Sequence, residues 1–130
     1  MKVHHVAICV SDLKESIKFY SDYFNFSIKK FFRKEEFNAD FCLIENDGFE
    51  IELFSFDKKS VNEHNIEDRL RIGIRHLAFE VTNIKEEVKQ LENKGITFSE
   101  IKEGKSGNLY AFCKDPDGVQ LELLEVQVRK

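Results

Sequence analysis

The chain states one motif twice, and both copies keep a histidine near their start and a glutamate near their end. His5-Val-Ala-Ile-Cys-Val-Ser-Asp-Leu-Lys-Glu aligns with His76-Leu-Ala-Phe-Glu-Val-Thr-Asn-Ile-Lys-Glu, an offset of 71 residues. Asp47-Gly-Phe-Glu-Ile-Glu-Leu aligns with Asp117-Gly-Val-Gln-Leu-Glu-Leu at an offset of 70, which sets Glu52 against Glu122. A duplicated unit that holds His and Glu at equivalent strand positions can bring two imidazoles and two carboxylates together across a pseudo-twofold axis. That is the donor set of a metal site.

Each half is expected to run β-α-β-β-β. In the first, Lys2 to Val10 alternates as a strand, and Ser11-Asp12 supplies an N-cap with Glu15 three residues on. Leu13, Ile17, Tyr20 and Phe24 then form one apolar helix face. Extended stretches follow near Ser27 to Lys34, Ala39 to Glu45 and Phe49 to Phe56, with Asn46-Asp47-Gly48 as the strongest hairpin signal. In the second half a strand from about Arg75 to Val81 precedes a helix carrying Ile84, Val88 and Leu91, capped by Thr82 or Asn83 and ended by Gly95. Strands near Ile96 to Ile101, Asn108 to Lys114 and Val119 to Val126 complete it, the last entered through Asp115-Pro116-Asp117-Gly118. The fold class is α+β: one domain over residues 1–130, with module 1 at about 1–56, a polar connector at about 57–73 with a short helix near Ile66 to Leu70, and module 2 at about 74–127.

Strand side chains alternate between faces. Val6, Ile8 and Val10 are expected under the first helix, with His5, Ala7 and Cys9 on the opposite face. Leu77, Phe79 and Val81 likewise leave His76 on the open face. Phe49, Ile51 and Leu53 pack, leaving Glu50, Glu52, Phe54 and Phe56 open; Val119, Leu121 and Leu123 pack, leaving Gln120, Glu122 and Leu124. Glu50 shares a face with Glu52, but its counterpart is Gln120, so Glu52 and Glu122 are the preferred pair. His5, Glu52, His76 and Glu122 make an N2O2 set without thiolate, suited to one divalent Zn, Ni, Co or Mn ion, or Fe(II), and an octahedron would keep two positions open. Cys9, Phe54 and Phe56 are read as substrate-pocket residues, His4 as structural and His64 as solvent-exposed.

Composition excludes several alternatives. A net charge of −4 with 42% hydrophobic residues describes a folding chain without a nucleic-acid footprint. No apolar run reaches membrane-spanning length, and Val6 to Val10 is too short for a signal-peptide core, so a cytoplasmic location is expected. Three widely spaced cysteines, Cys9, Cys42 and Cys113, fit reduced thiols and not a disulfide framework.

The sequence resembles the vicinal-oxygen-chelate superfamily, the group of glyoxalase I, epimerases and ring-cleaving dioxygenases. The resemblance rests on His5-Val-Ala-Ile-Cys-Val-Ser-Asp-Leu with Phe19-Tyr20, on Ile51-Glu52-Leu53, on Arg75-His76-Leu-Ala-Phe, and on Asp115-Pro116-Asp117-Gly118 with Glu122-Leu123, across essentially the whole chain. It implies two βαβββ modules forming a cupped mixed sheet, a homodimer, and a metal held by His5, Glu52, His76 and Glu122. It further implies a glyoxalase I-type isomerase, similar to lactoylglutathione lyase, converting a 2-oxoaldehyde–thiol hemithioacetal to a 2-hydroxyacyl thioester through an enediolate, with Glu122 as first base and Glu52 as its counterpart. Epimerisation of an acyl-CoA of the methylmalonyl-CoA type and non-catalytic drug binding are the alternatives. Bacterial glyoxalase I typically has arginine where Cys9 stands and asparagine where Phe56 stands, both associated with gripping glutathione.

Overall fold

The computed structural model describes residues 1–59 and 72–127. The chain divides into two compact units, Met1–Glu63 and His64–Lys130, and each repeats the same plan. The helix expected near residues 66–70 lies outside the described residues.

The first unit runs β1 (His5–Cys9), α1 (Leu13–Phe24), β2 (Ser27–Lys34), a 3-10 turn at Glu35–Phe37, β3 (Ala39–Asn46) and β4 (Phe49–Phe56). Its sheet has the order β1-β4-β3-β2, with β1 parallel to β4 and the other pairs antiparallel. α1 begins where Asp12 accepts the Glu15 N–H at 3.1 Å, satisfying a donor that has no partner within the helix. It ends at Asn25, which takes the left-handed conformation at φ 59°. Asn46 donates from Nδ2 to the Phe24 carbonyl at 2.9 Å, tying that end to the sheet. Asp47 and Gly48 both have positive φ, 50° and 79°, the two-residue reversal whose twist matches a β-hairpin.

The apolar face of α1 packs on β3 and β4. Tyr20, Ile44, Ile51 and Leu53 are fully buried there, and each such aliphatic side chain contributes about 1.5–3 kcal/mol. Ser16 is also fully buried on this face, and its hydroxyl makes no hydrogen bond among the described residues. An unsatisfied buried hydroxyl costs free energy, and alanine is the better helix former. Ser16→Ala is therefore expected to stabilise the protein by about 1 kcal/mol, read as a higher denaturation midpoint; a lower midpoint would show that the hydroxyl has a partner in solution.

The second unit runs β5 (Leu77–Glu80), α2 (Ile84–Asn93), β6 (Lys102–Glu103), β7 (Leu109–Lys114) and β8 (Gln120–Glu125), in sheet order β5-β8-β7-β6. Asn83 caps α2 by accepting the Glu86 N–H at 3.2 Å, the counterpart of Asp12. Gly95, at φ 101°, follows the C-cap as expected. Asp115 Oδ1 accepts the N–H groups of Asp117 and Val119, each at 2.9 Å, which folds the turn into β8.

The structure departs from the sequence pattern at two places. The stretch Ile96 to Ile101 is not a strand; the edge strand is only Lys102–Glu103. Ser99 explains it: its N–H donates to the Phe112 carbonyl, but the Phe112 N–H is taken by the Ser99 hydroxyl, so a side chain replaces the backbone acceptor a ladder needs. Phe49 was expected to pack beside Ile51 and Leu53, yet at the hairpin end of β4 it is 37% exposed.

Candidate metal centre

The duplicated residues occupy the same register in both units. Ala7 on β1 pairs with Glu52 on β4, and Ala78 on β5 pairs with Glu122 on β8. Each histidine stands two residues before its alanine, on the same strand face as the glutamate. Each unit therefore offers one imidazole and one carboxylate from neighbouring parallel strands, with a methyl group opposite the carboxylate.

In the second unit the pair is in contact. His76 Nε2 lies 3.2 Å from Glu122 Oε2, and the Glu122 side chain is 14% exposed. Phe112 sets its ring against His76, centroids 5.3 Å apart. In the first unit Glu52 is half-buried and His5 exposed, and the His5 ring turns elsewhere: its Nδ1 lies 2.9 Å from Nδ1 of His4. Among the described residues, no group of three or more His, Cys, Asp or Glu side chains is gathered as a metal cluster.

Glu50 has a different job. It is 6% exposed, forms an ion pair with Lys29, and lies 3.5 Å from His4 Nδ1. The hydrogen bond and charge of Lys29 hold its carboxyl below the usual glutamate range, against the opposing effect of burial. A carboxylate already neutralised by a lysine is a poor third ligand. The strand-face argument alone could not see this, because Lys29 reaches Glu50 through a register shift between Ile28 and Lys30. His4, read from sequence as packed, is exposed and serves as the bridge between Glu50 and His5.

Residues 2–123 match the sequence profile of the Glyoxalase/Bleomycin resistance protein/Dioxygenase superfamily. The chain belongs to that superfamily. Among relatives of this glyoxalase-superfamily chain, the uncharacterized protein YwkD of Bacillus subtilis is 35% identical over 125 residues, 95% of each chain. Lactoylglutathione lyase of Schizosaccharomyces pombe is 31% identical over 142 residues, covering 95% of this chain and 47% of the lyase. The mitochondrial methylmalonyl-CoA epimerase of Dictyostelium discoideum is 31% identical over 129 residues, covering 95% of this chain and 78% of the epimerase. The α+β class and two-module plan of the superfamily are those described above, and among the described residues no helix is long and apolar enough to cross a membrane.

The three residues expected to line a substrate pocket in this superfamily chain fall on one face of the first unit. Cys9 pairs with Phe54 across β1 and β4 and is exposed. Phe54 is half-buried, and Phe56 is 43% exposed beside Phe37, Asn38, Lys58 and Lys59. All three thiols are unbridged, but only Cys9 is accessible. Burial raises the Cys42 thiol and pushes Cys113 up to about 12, aided by the charge of Asp115. Iodoacetamide at neutral pH is expected to alkylate Cys9 alone in the native protein, read by mass spectrometry, and all three after denaturation. Native labelling of Cys113 at the same rate as Cys9 would contradict the packing of β7.

Proposed function

We propose that this protein is a metal-dependent isomerase of the glyoxalase I type, acting on the hemithioacetal of a 2-oxoaldehyde and a thiol. The observation that carries the reading is the matched register of His5 with Glu52 and of His76 with Glu122, each glutamate opposite an alanine. Two imidazoles and two carboxylates fit one divalent Zn, Ni, Co or Mn ion, and the four would hold it whether the units come from one chain or from two copies of a homodimer. A bound ion would supply electrophilic stabilisation of the vicinal oxygens as negative charge develops on them.

The proton work falls to the glutamates. Glu122 takes the carbon-bound proton from the thiol-bearing carbon, its electron pair moving toward the adjacent carbonyl carbon. Glu52 takes the hydroxyl proton of the thiol-bearing carbon and delivers it to the neighbouring carbon, while Glu122 passes its proton to that neighbour's oxygen, giving the 2-hydroxyacyl thioester without oxidant or reductant. His76, 3.2 Å from Glu122, orients the carboxylate. The 31% identity to lactoylglutathione lyase supports this reading. Cys9 and Phe56, where glutathione-gripping residues stand in bacterial glyoxalase I, point to a thiol other than glutathione.

The epimerase relative, matched over more of its length, keeps a second reaction in view, because two bases flanking an enolate would also serve an acyl-CoA thioester. The deciding experiment loads the protein with Ni, Co, Zn or Mn and follows deuterium exchange at carbon beside a carbonyl. Methylglyoxal hemithioacetals of several thiols and methylmalonyl-CoA are the substrates. Exchange and product formation with a hemithioacetal are expected. Exchange only with the CoA thioester would replace the isomerase reading by the epimerase one, and no exchange with any loaded metal would leave a binding protein.

A further inference from the structure

The first unit carries a row of stacked rings beside Glu52. Phe32, Phe41 and Phe54 are register partners across β2, β3 and β4. Their centroids are 5.2 Å and 5.3 Å apart, with planes tilted by 9° and 17°. Phe54 follows Glu52 by two residues on the same strand face, about 7 Å along β4. Phe56 meets Phe54 edge-on at 5.7 Å and extends the row toward an open depression of about 330 Å³ lined by Phe37, Asn38, Phe56, Lys58 and Lys59.

Two lysines stand over these rings. Lys30 Nζ is 5.5 Å from the Phe32 centroid; Lys34 Nζ is 5.0 Å from Phe41, 5.7 Å from Phe32 and 5.6 Å from Phe37. The other two cations of β2 are neutralised, Lys29 by Glu50 and Arg33 by Glu35, Asp40 and Asp57. Among the described residues, Lys30 and Lys34 have no carboxylate within ion-pair distance, although Lys34 is half-buried. Ring faces hold an ammonium in place without cancelling its charge. Glu45, Glu50 and Glu52 lie in neighbouring rows of this face, but Glu50 is bound to Lys29, and Glu52 is two strand spacings from Lys30 through Leu43, about 10 Å.

We propose that this face is a recognition surface for a flat apolar group bearing a negative charge, Phe32, Phe54 and Phe56 taking the body above the buried Phe41 and Lys30 and Lys34 the anion. The inference rests on the reading of Glu52 as part of the reaction centre, and it narrows the substrate to one whose thiol or acyl portion is anionic. The anion is a carboxylate or a phosphate, either of which an ammonium binds.

Binding of small probes tests the surface without turnover. Full-length protein as purified is titrated with 2-naphthoate, 2-naphthyl phosphate and neutral 2-naphthamide, and Kd is read from amide shifts by NMR. Both anions are expected to bind about tenfold or more tightly than the amide, with the largest shifts on β2, β3 and β4. The preference should collapse in the Lys30→Gln, Lys34→Gln double variant and survive Lys18→Gln, whose lysine pairs with Asp22 on α1. Tighter phosphate binding assigns the anion to a phosphate, and tighter naphthoate binding to a carboxylate. Equal affinity for the amide, or an anion preference that persists without Lys30 and Lys34, overturns the proposal. A protein that shows the preference but no isomerase activity would retain this surface and lose only the assigned reaction.

Discussion

Glu122→Gln is expected to keep bound metal while lowering kcat by about 10²–10⁴-fold, the range a positioned general base contributes. Glutamine preserves the shape of the side chain and an oxygen donor, and it can still pair with His76, 3.2 Å away in the native protein. It cannot accept a proton at neutral pH. Elemental analysis of the metal-loaded variant and turnover of the best hemithioacetal, measured together, separate the two roles. Wild-type turnover with metal in place would remove Glu122 from the chemistry, and a larger loss in Glu52→Gln would exchange the parts given to the two glutamates. Loss of metal in Glu122→Gln would mean that its charge, beyond its oxygen, is required to hold the ion.

Tyr20→Ala should be the most destabilising single change in the first unit, costing about 3–5 kcal/mol. Tyr20 is fully buried, and its ring lies edge-on to Phe19 and Phe26 at 5.3 Å and 5.9 Å and tilted against Phe24 at 6.2 Å. Removing it opens a cavity between α1 and the sheet that carries Glu52, which the surrounding rings cannot fill without leaving their rotamers. Thermal melting should fall by more than about 10 °C, while Tyr20→Phe, which keeps the ring and removes only the buried hydroxyl, should cost less than Tyr20→Ala. A Tyr20→Ala protein that melts near the native temperature would show that α1 is not anchored through this side chain.

Where local chemistry is self-sufficient, the sequence anticipates the structure closely. Leu13 to Phe24 forms the helix its apolar spacing and Asp12 cap predict, and Phe49 to Phe56 is the strand its alternation predicts. The Asp47-Gly48 reversal follows from two residues that tolerate positive φ. The failures lie where side chains compete with the backbone or where register slips. Ile96 to Ile101 has strand-like alternation, but the Ser99 hydroxyl intercepts the Phe112 N–H. The 3-10 turn at Glu35–Phe37, closed by Asn38 at φ 49°, carries no strong signal within a charged run.

The candidate site divides along the same line. The matched register of His5 with Glu52 and of His76 with Glu122 was legible because duplication marked these positions and alternation gave their faces. The neutralisation of Glu50 by Lys29 and the ring row under Lys30 and Lys34 were not, because both depend on pairing across β2, β3 and β4 and on the bulge that shifts their register. Lys29 and Lys30 are neighbours in sequence, yet one is bound to a carboxylate and the other rests on a ring.

The equal register of alanine opposite glutamate in both units has a consequence for assembly. Each unit carries the same two candidate donors in the same order along its strands, so on the proposed reading a copy of the protein that exchanged one unit with another copy would present the same four side chains. On that reading the proposed reaction would not distinguish a second unit of the same chain from one of a neighbouring copy.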